Sequence, residues 1–552
     1  MPTITIDNQD IQLADADRLN VIQAAERAGV EIPYYCWHPG LSVVASCRMC
    51  LVEIGQKDKE GKAQMQPRLV PACQTPARDG TVVVTNSEKV KENRRAVEEY
   101  LLLDHPVDCP ICDRAGECYL QDYYFEHGRS QRRDVEHPFT SKRRDLGPEV
   151  TLFVDRCVMC SRCVRFTREI SGTAELQVVD RGNHSEIDVF PGFPIDNKLS
   201  GNVVDLCPVG ALCSRDFLYQ QRVWFLQGHN SICTGCSSGC SIRIDENRGA
   251  IYRLKPRNNP LANGWWMCDA GRLDYKFVSS LDRLTTPQRR TGAALNDAEW
   301  PAVIAALRDD LTEAVRRHGG RATVGVLSPM LTCEEAFLLA KYLKSLNPEV
   351  RLALGRVPVV GVDDHYPKSR TQNGSPEQPK FTIHAEKCPN RRGVEAILTA
   401  MEQRVVDFDS VLADVNAGLV RTVLLTGGYP GPWLTASEIE TLSKPELVVL
   451  MDILGSPATE NADYVLPGAA WAEKDGSYVN HDGLLQVTER AVRPPGQARS
   501  EGRTVWELAG RPRLYHAGDV RIELAREVPG FAAAAEAKVP EHGVRLAGGE
   551  TK

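Results

Sequence analysis

The sequence is short of what a membrane-spanning, secreted or nucleic-acid-binding protein needs. No run approaches the roughly 18 apolar residues that a spanning helix requires. The opening, MPTITIDNQD, has neither a charged n-region nor an apolar h-region, so no signal peptide is expected. Positive charge is not in excess: 66 Lys and Arg face 73 Asp and Glu, for a net charge of −7. That balance provides no global basic field for nucleic acid. No Gly-x-Gly-x-x-Gly opens a helix after a strand, and GGYPG (427–431) is a weak substitute, so dinucleotide binding is not indicated. Cysteine nearly disappears after Cys268, where 284 residues hold only Cys333 and Cys388.

The first half is the opposite: sixteen of the 18 cysteines lie between Cys36 and Cys268. Without a secretion signal these thiols are expected to stay reduced, which favours metal or redox chemistry over disulfides. All but Cys213, the spare, fall into four sets. The first is Cys36, Cys47, Cys50 and Cys73, a C-x10-C-x2-C-x22-C spacing. It keeps the C-x2-C core and distant fourth cysteine of plant-type [2Fe–2S] proteins but widens the first gap. The second is His105, Cys109, Cys112 and Cys118 in HPVDCPICDRAGEC. A neutral imidazole in place of a thiolate would remove one negative charge from a cluster, and charge is a main lever on its potential. Cys3His is also a legitimate structural zinc set, so zinc stays open here. The third joins CVMCSRC (Cys157, Cys160, Cys163) to CPVGAL at Cys207, the ferredoxin [4Fe–4S] pattern. The fourth is Cys233, Cys236, Cys240 and Cys268, whose spacing suits either a cubane or a zinc ribbon.

Periodicity supplies the framework. TITID and IQL read as a hairpin, residues 18–28 as a helix, and CLVEI and TVVVT as further strands, which together suggest a β-grasp domain. Ser87 is placed to cap a helix leading to His105. Beyond residue 283, apolar strands such as ATVGVLS, VRTVLLTGG and ELVVLMDIL alternate with helical stretches, predicting a parallel α/β domain. The boundaries drawn are 1–86, 87–149 (with a charged linker from 126), 150–222, 223–282 and 283–530, with 531–552 expected as a flexible tail. The fold class is therefore multidomain α+β and α/β.

DHPVDCPICDRAGECYLQD (104–122), CVMCSRCVRFTREISGTAEL (157–176) and SGNVVDLCPVGAL (200–212) resemble the 75-kDa-type, or G-type, iron–sulfur subunits of respiratory complex I. The resemblance runs to about residue 282 and resumes at ADYVLPGAAWAEKDGSYVNHDGLLQ, which looks like the end of a molybdopterin-oxidoreductase-like domain. It implies one [2Fe–2S] cluster on the first set and [4Fe–4S] clusters on the other three, the fourth being the least certain and lying off the main electron route. It implies that electrons arrive from a NADH/FMN-binding subunit, pass the Cys36, Cys157 and His105 sets in that order, and leave toward quinone-side iron–sulfur subunits. Further implied partners are a separate 2Fe–2S subunit and, through the assembly alone, the cytoplasmic face of the inner membrane. The implied enzyme class is a proton-translocating NADH:quinone oxidoreductase.

One departure stands out: the C-terminal α/β part is shortened around 345–395, and no side chain suited to ligating molybdenum is evident. No molybdenum cofactor is expected, and no catalytic residue is assigned. The competing readings are an electron-wiring subunit of a NAD-linked hydrogenase or formate dehydrogenase, and a zinc-binding scaffold.

Overall fold

The computed structural model describes residues 2–14, 18–131, 133, 142–368, 378–402 and 404–547. Two compact units emerge: residues 1–226 with 366–380, and residues 227–365 with 381–552.

The first unit begins with a sheet whose strands run, edge to edge, Gln9–Gln12, Thr3–Ile6, Thr81–Val84, Leu51–Lys57 and Ala63–Met65. Thr3–Ile6 and Thr81–Val84 are parallel, as a β-grasp requires. Across this sheet lies the helix Val21–Arg27, started by Asn20 and Gln23 in a reciprocal capping box. Its Val21, Ile22, Ala24 and Ala25 pack against Ile4, Ile6, Val52, Ile54 and Val83. Each such aliphatic side chain taken from water contributes about 1.5–3 kcal/mol. The loops at one end of this core carry the first cysteine set. The helix Glu88–Leu101, capped by Ser87, then leads the chain to His105. A second helix, Tyr119–His127, starts where the second cysteine set ends and occupies the beginning of the expected charged linker. Residues 132 and 134–141 of that linker lie outside the described residues.

In the second unit, five parallel strands, Tyr464–Pro467, Leu447–Asp452, Thr422–Thr426, Thr323–Leu327 and Arg351–Leu354, lie side by side in that order. An antiparallel hairpin, Gln288–Thr291 and Ala294–Asp297, extends one edge. Alternate residues feed two cores. Val423, Leu425, Val448 and Leu450 enter one, whereas Leu424, Val449 and Met451 enter the other. This explains why these strands read as unbroken apolar runs.

Two findings modify the domain reading. The fourth cysteine set sits on a three-stranded meander, Gln227–Ile232, Ser241–Asn247 and Ala250–Pro256. It groups with the α/β domain because buried amides join them. Gln486 Nε2 donates to Gly239 O at 2.7 Å, Asn480 Nδ2 to Ser238 O at 3.1 Å, and Ser241 Oγ to Gln486 Oε1 at 2.6 Å. The expected flexible tail is also corrected: Phe531 and Ala534 are buried in the α/β core, and Val544–Arg545 pairs with Leu484 and Leu485. Its alanine-rich composition hid a single aromatic anchor. Residues 548–552 lie outside the described set.

Deep in this unit, Lys474 Nζ bridges Glu335 Oε2 at 2.8 Å and Glu501 Oε2 at 2.9 Å, with all three side chains at most 5% exposed. Removing the shared cation strands two buried carboxylates. Lys474→Met is expected to destabilise this unit by about 3–5 kcal/mol, read as a lower calorimetric midpoint. Adding Glu335→Gln and Glu501→Gln should recover most of that loss. A midpoint unchanged by Lys474→Met would contradict this account.

Candidate iron–sulfur sites

The structure brings together each donor set expected from the sequence. In the first set the thiols associate two by two. Cys36 and Cys47 share one thiol hydrogen bond, and Cys50 and Cys73 share another. Within each pair the hydrogen bond holds one sulfur toward the thiolate and pushes its partner up. Two adjacent pairs suit a two-iron cluster, in which each iron takes two cysteine sulfurs. Ala45 and Arg48 adopt left-handed backbone angles, φ 53° and 60°, which fold the loop around the pairs. His38 is not brought in as a ligand. Its Nδ1 accepts the Gly40 N–H at 3.1 Å, and burial lowers its pKa to about 3, with Arg162 and Arg165 adding to that, so the ring is neutral.

In the second set, His105, Cys109 and Cys118 line one cavity of about 340 Å3 with Leu102, Leu120 and Phe125. Cys112 is buried beside them. Nδ1 of His105 is buried with no hydrogen-bond partner among the described residues, which is costly unless a ligand completes it. Burial lowers the imidazole to about 4, so it is neutral at physiological pH and its ring nitrogen can act as a Lewis base. Cys118 is pushed up to about 12 by burial. Gly210 passes so close that a Cβ there would come within 2.2 Å of Cys112 Sγ.

The third set lines a small apolar pocket: Cys157, Cys160, Cys163 and Cys207 with Ile187, Val209 and Leu212. Met159 and Ser161 are left-handed, φ 48° and 55°. Alternation of this kind turns successive N–H groups inward to form a nest for anionic groups, iron–sulfur clusters among them. One such N–H, that of Met159, already reaches Cys157 Sγ at 3.4 Å. Burial pushes Cys160 up to about 11 and Cys157 and Cys163 higher still.

The four thiols of the last set are all buried. Cys268 caps the short helix Asp269–Leu273 and accepts the Gly271 N–H at 3.3 Å. A Cβ at Gly271 would meet Cys233 Sγ at 2.7 Å and Cys268 Sγ at 3.4 Å, so this glycine lets the backbone approach both. Among the described residues, no three or more His, Cys, Asp or Glu side chains converge closely enough to hold a single metal ion. His105, Cys109 and Cys118 of the second set, and all four thiols of the third, line a cavity instead.

Sequence reasoning missed the arginines between the sets. Arg165 donates to the carbonyls of Cys36 and Ser42, and at 3.3 Å to that of Cys160, tying the first set's loop to the third's. Arg114 Nη2 donates to Cys207 O at 2.7 Å, tying the second set to the third. Arg222 Nη1 donates to Cys112 O at 2.7 Å. The abundance of arginine among the cysteines, as in CSRCVRF, was the available signal.

The remaining cysteines are packed thiols. Cys213 Sγ lies 3.6 Å from Gly210 O, Cys333 Sγ 3.4 Å from Asn390 Oδ1, and Cys388 Sγ 3.8 Å from Glu386 Oε1. Cys388 packs with Met330 and Tyr429 beside the C-terminal ends of strands Thr323–Leu327 and Thr422–Thr426. This is the switch point at which parallel α/β folds place nucleotides. Tyr429 stacks on Trp433 at 4.8 Å, and Trp433 Nε1 donates to the buried Asp452 at 2.9 Å. These side chains pack on one another at that point of the sheet.

Comparison with known proteins follows this layout. Residues 1–88 match a 2Fe-2S iron-sulfur cluster binding domain. Residues 94–133 match the NADH-ubiquinone oxidoreductase-G iron-sulfur binding region, and 147–213 the ferredoxin-like domain of NADH-quinone oxidoreductase subunit 3. Residues 226–280 match the molybdopterin oxidoreductase Fe4S4 domain, and 432–511 molybdopterin oxidoreductase itself. The G-type NADH-quinone oxidoreductase subunit of Rickettsia bellii (strain RML369-C) is 28% identical over 96% of this chain and 90% of its own length. A G-type subunit of the same enzyme from Rhizobium meliloti (strain 1021), numbered 2 in that organism, is 36% identical over 63% of this chain and 39% of its own. An NAD+-reducing [NiFe]-hydrogenase chain covers 40% of this chain at 27% identity, with a TM-score of 0.33 and 91% of its own length matched. The chain is thus similar to G-type NADH-quinone oxidoreductase subunits along almost its whole length, and its residues 94–133 match their iron-sulfur binding region.

Proposed function

We propose that this chain is the electron-transfer iron–sulfur subunit of the peripheral arm of an NADH:quinone oxidoreductase, and that it binds no substrate itself. The observation that carries this reading is the set of four donor groups, most of their thiols buried, three of the groups cross-linked through backbone carbonyls by Arg165 and Arg114. The proposed ligands are Cys36, Cys47, Cys50 and Cys73 for a [2Fe–2S] cluster. For three [4Fe–4S] clusters they are His105, Cys109, Cys112 and Cys118; Cys157, Cys160, Cys163 and Cys207; and Cys233, Cys236, Cys240 and Cys268. When bound, these groups supply one-electron carriage from the NADH/FMN-binding subunit toward the quinone-side iron–sulfur subunits, with the last of them off the route.

The chain's own residues space and tune. Arg165 and Arg114 hold neighbouring ligand loops in register. The nest around Met159 and Ser161 and the Gly271 N–H direct hydrogen bonds at sulfur, which tune a cluster's potential and stability. His105 contributes a neutral ligand where a thiolate would add charge. No helix among the described residues is long and apolar enough to cross a membrane. Attachment to the inner membrane's cytoplasmic face through partner subunits, and the proton-translocating class, belong to the same proposal.

His105→Cys tests the second set. A thiolate adds negative charge, so the midpoint potential of that cluster, followed by EPR titration of the intact complex, is expected to fall. A raised or unchanged potential would contradict ligation by His105. Gly271→Ala tests the fourth set: the intruding methyl should lower iron content by about four per chain while NADH-driven quinone reduction persists. Full iron retention, or loss of flux in assembled complex, would contradict the assignment of that set or its place off the route.

A further inference from the structure

Arg156 lies immediately before the first ligand of the third set, yet its side chain serves the second. It closes the short turn Val154–Arg156 and is 1% exposed. Its guanidinium is held on two sides. Nη2 and Nε donate to Asp108 Oδ2 at 2.5 and 3.2 Å, and one face lies over the Phe153 ring, 4.1 Å from its centre. Nη1 is buried and has no hydrogen-bond partner among the described residues. The side chain runs beside the second set: Arg156 Cδ and Cys112 Sγ both lie within 4 Å of the position a Cβ would take on Gly210.

A buried guanidinium cannot shed its charge, and a charged N–H without an acceptor costs more than a neutral one. Salt does little to screen a charge so deeply buried. Asp108 holds the guanidinium from the second set's own loop, next to Cys109, while the Arg156 stem runs beside Cys112.

We propose that Arg156 is a charge residue for the group held by His105, Cys109, Cys112 and Cys118, raising its reduction potential from the Cys112 side. This rests on the cluster assignment made above. A positive charge fixed at that edge stabilises the reduced state, which carries one more negative charge. It therefore acts in the same direction as the neutral ligand His105. Asp108 opposes it while fixing the guanidinium's orientation. Through Cys157, the same residue also fixes the spacing between the second and third sets.

The experiment is an EPR redox titration of the intact complex carrying Arg156→Met, Arg156→Lys or Asp108→Asn. Iron content is measured on each sample, and the [2Fe–2S] signal serves as an internal reference. Arg156→Met is expected to lower the midpoint of the His105-set signal by the equivalent of tenfold or more in the reduced-to-oxidised ratio, about 59 mV for a one-electron couple. Arg156→Lys, which keeps the charge, should shift it by less than a third of that. Asp108→Asn should raise it. The reference signal should stay in place throughout. A midpoint that Arg156→Met leaves unchanged or raises, at full iron content, would overturn the inference. If Arg156→Met loses iron, Asp108→Asn decides: a rise supports the inference, and a fall or no change overturns it. Wild-type complex with no four-iron signal from this set would overturn the cluster assignment itself, and this inference with it.

Discussion

The constraint on which the rest of this structure depends is the withdrawal of sulfur ligands from water. A thiol taken into an apolar interior resists ionisation, and a metal ligand must ionise. Burial holds Cys118, Cys157, Cys160, Cys163, Cys233, Cys240 and Cys268 above the ordinary thiol range. Such thiols are poor reagents alone and become good ligands only when a cationic centre compensates the charge. The fold spends its loops on this. Left-handed residues turn N–H groups toward sulfur, glycines 210 and 271 admit backbone where a Cβ would collide with it, and an imidazole is left with a bare nitrogen.

Guanidinium groups are the second half of the same electrostatics. Arg114 and Arg165 each join two ligand loops through carbonyl oxygens, while Arg156 and Arg162 lie buried among them. Arg162 sits between the Tyr34 and Tyr119 rings, 5.6 and 5.4 Å away, and donates to Leu206 O at 3.1 Å. Arginine suits this duty because it stays charged when buried and its planar fork reaches several carbonyls at once. Positive charge distributed through this region balances groups that become more negative with each electron. The second unit relies on different physics: aliphatic cores on both sides of a parallel sheet, and Lys474 locked between two carboxylates.

Much of this was legible in the sequence, for local reasons. C-x2-C turns are short, so their spacing reports directly which thiols come together. A cap such as Ser87 acts within three residues of itself, and the apolar runs at 423–425 and 448–451 mark strands covered on both faces. What was not legible depends on sequence-distant partners. Arg165 lies 129 residues from Cys36, and Arg114 lies 93 from Cys207. The grouping of the fourth set with the α/β domain rests on Gln486 and Gly239, separated by 247 positions. Phe531, alone in an alanine-rich stretch, anchors a segment whose composition suggested none. The stacking of Tyr429 on Trp433 likewise becomes visible only once strands 323–327 and 422–426 lie side by side.

The central claim is that all four donor sets hold iron–sulfur clusters. Iron, acid-labile sulfide and zinc measured on anaerobically isolated complex, normalised per copy of this chain after subtracting the other subunits' clusters, test it most directly. The account predicts about fourteen irons per chain, a matching amount of sulfide and no zinc. About ten irons with one zinc would make one four-ligand set a structural zinc site, and predominantly zinc with no sulfide would contradict the account as a whole.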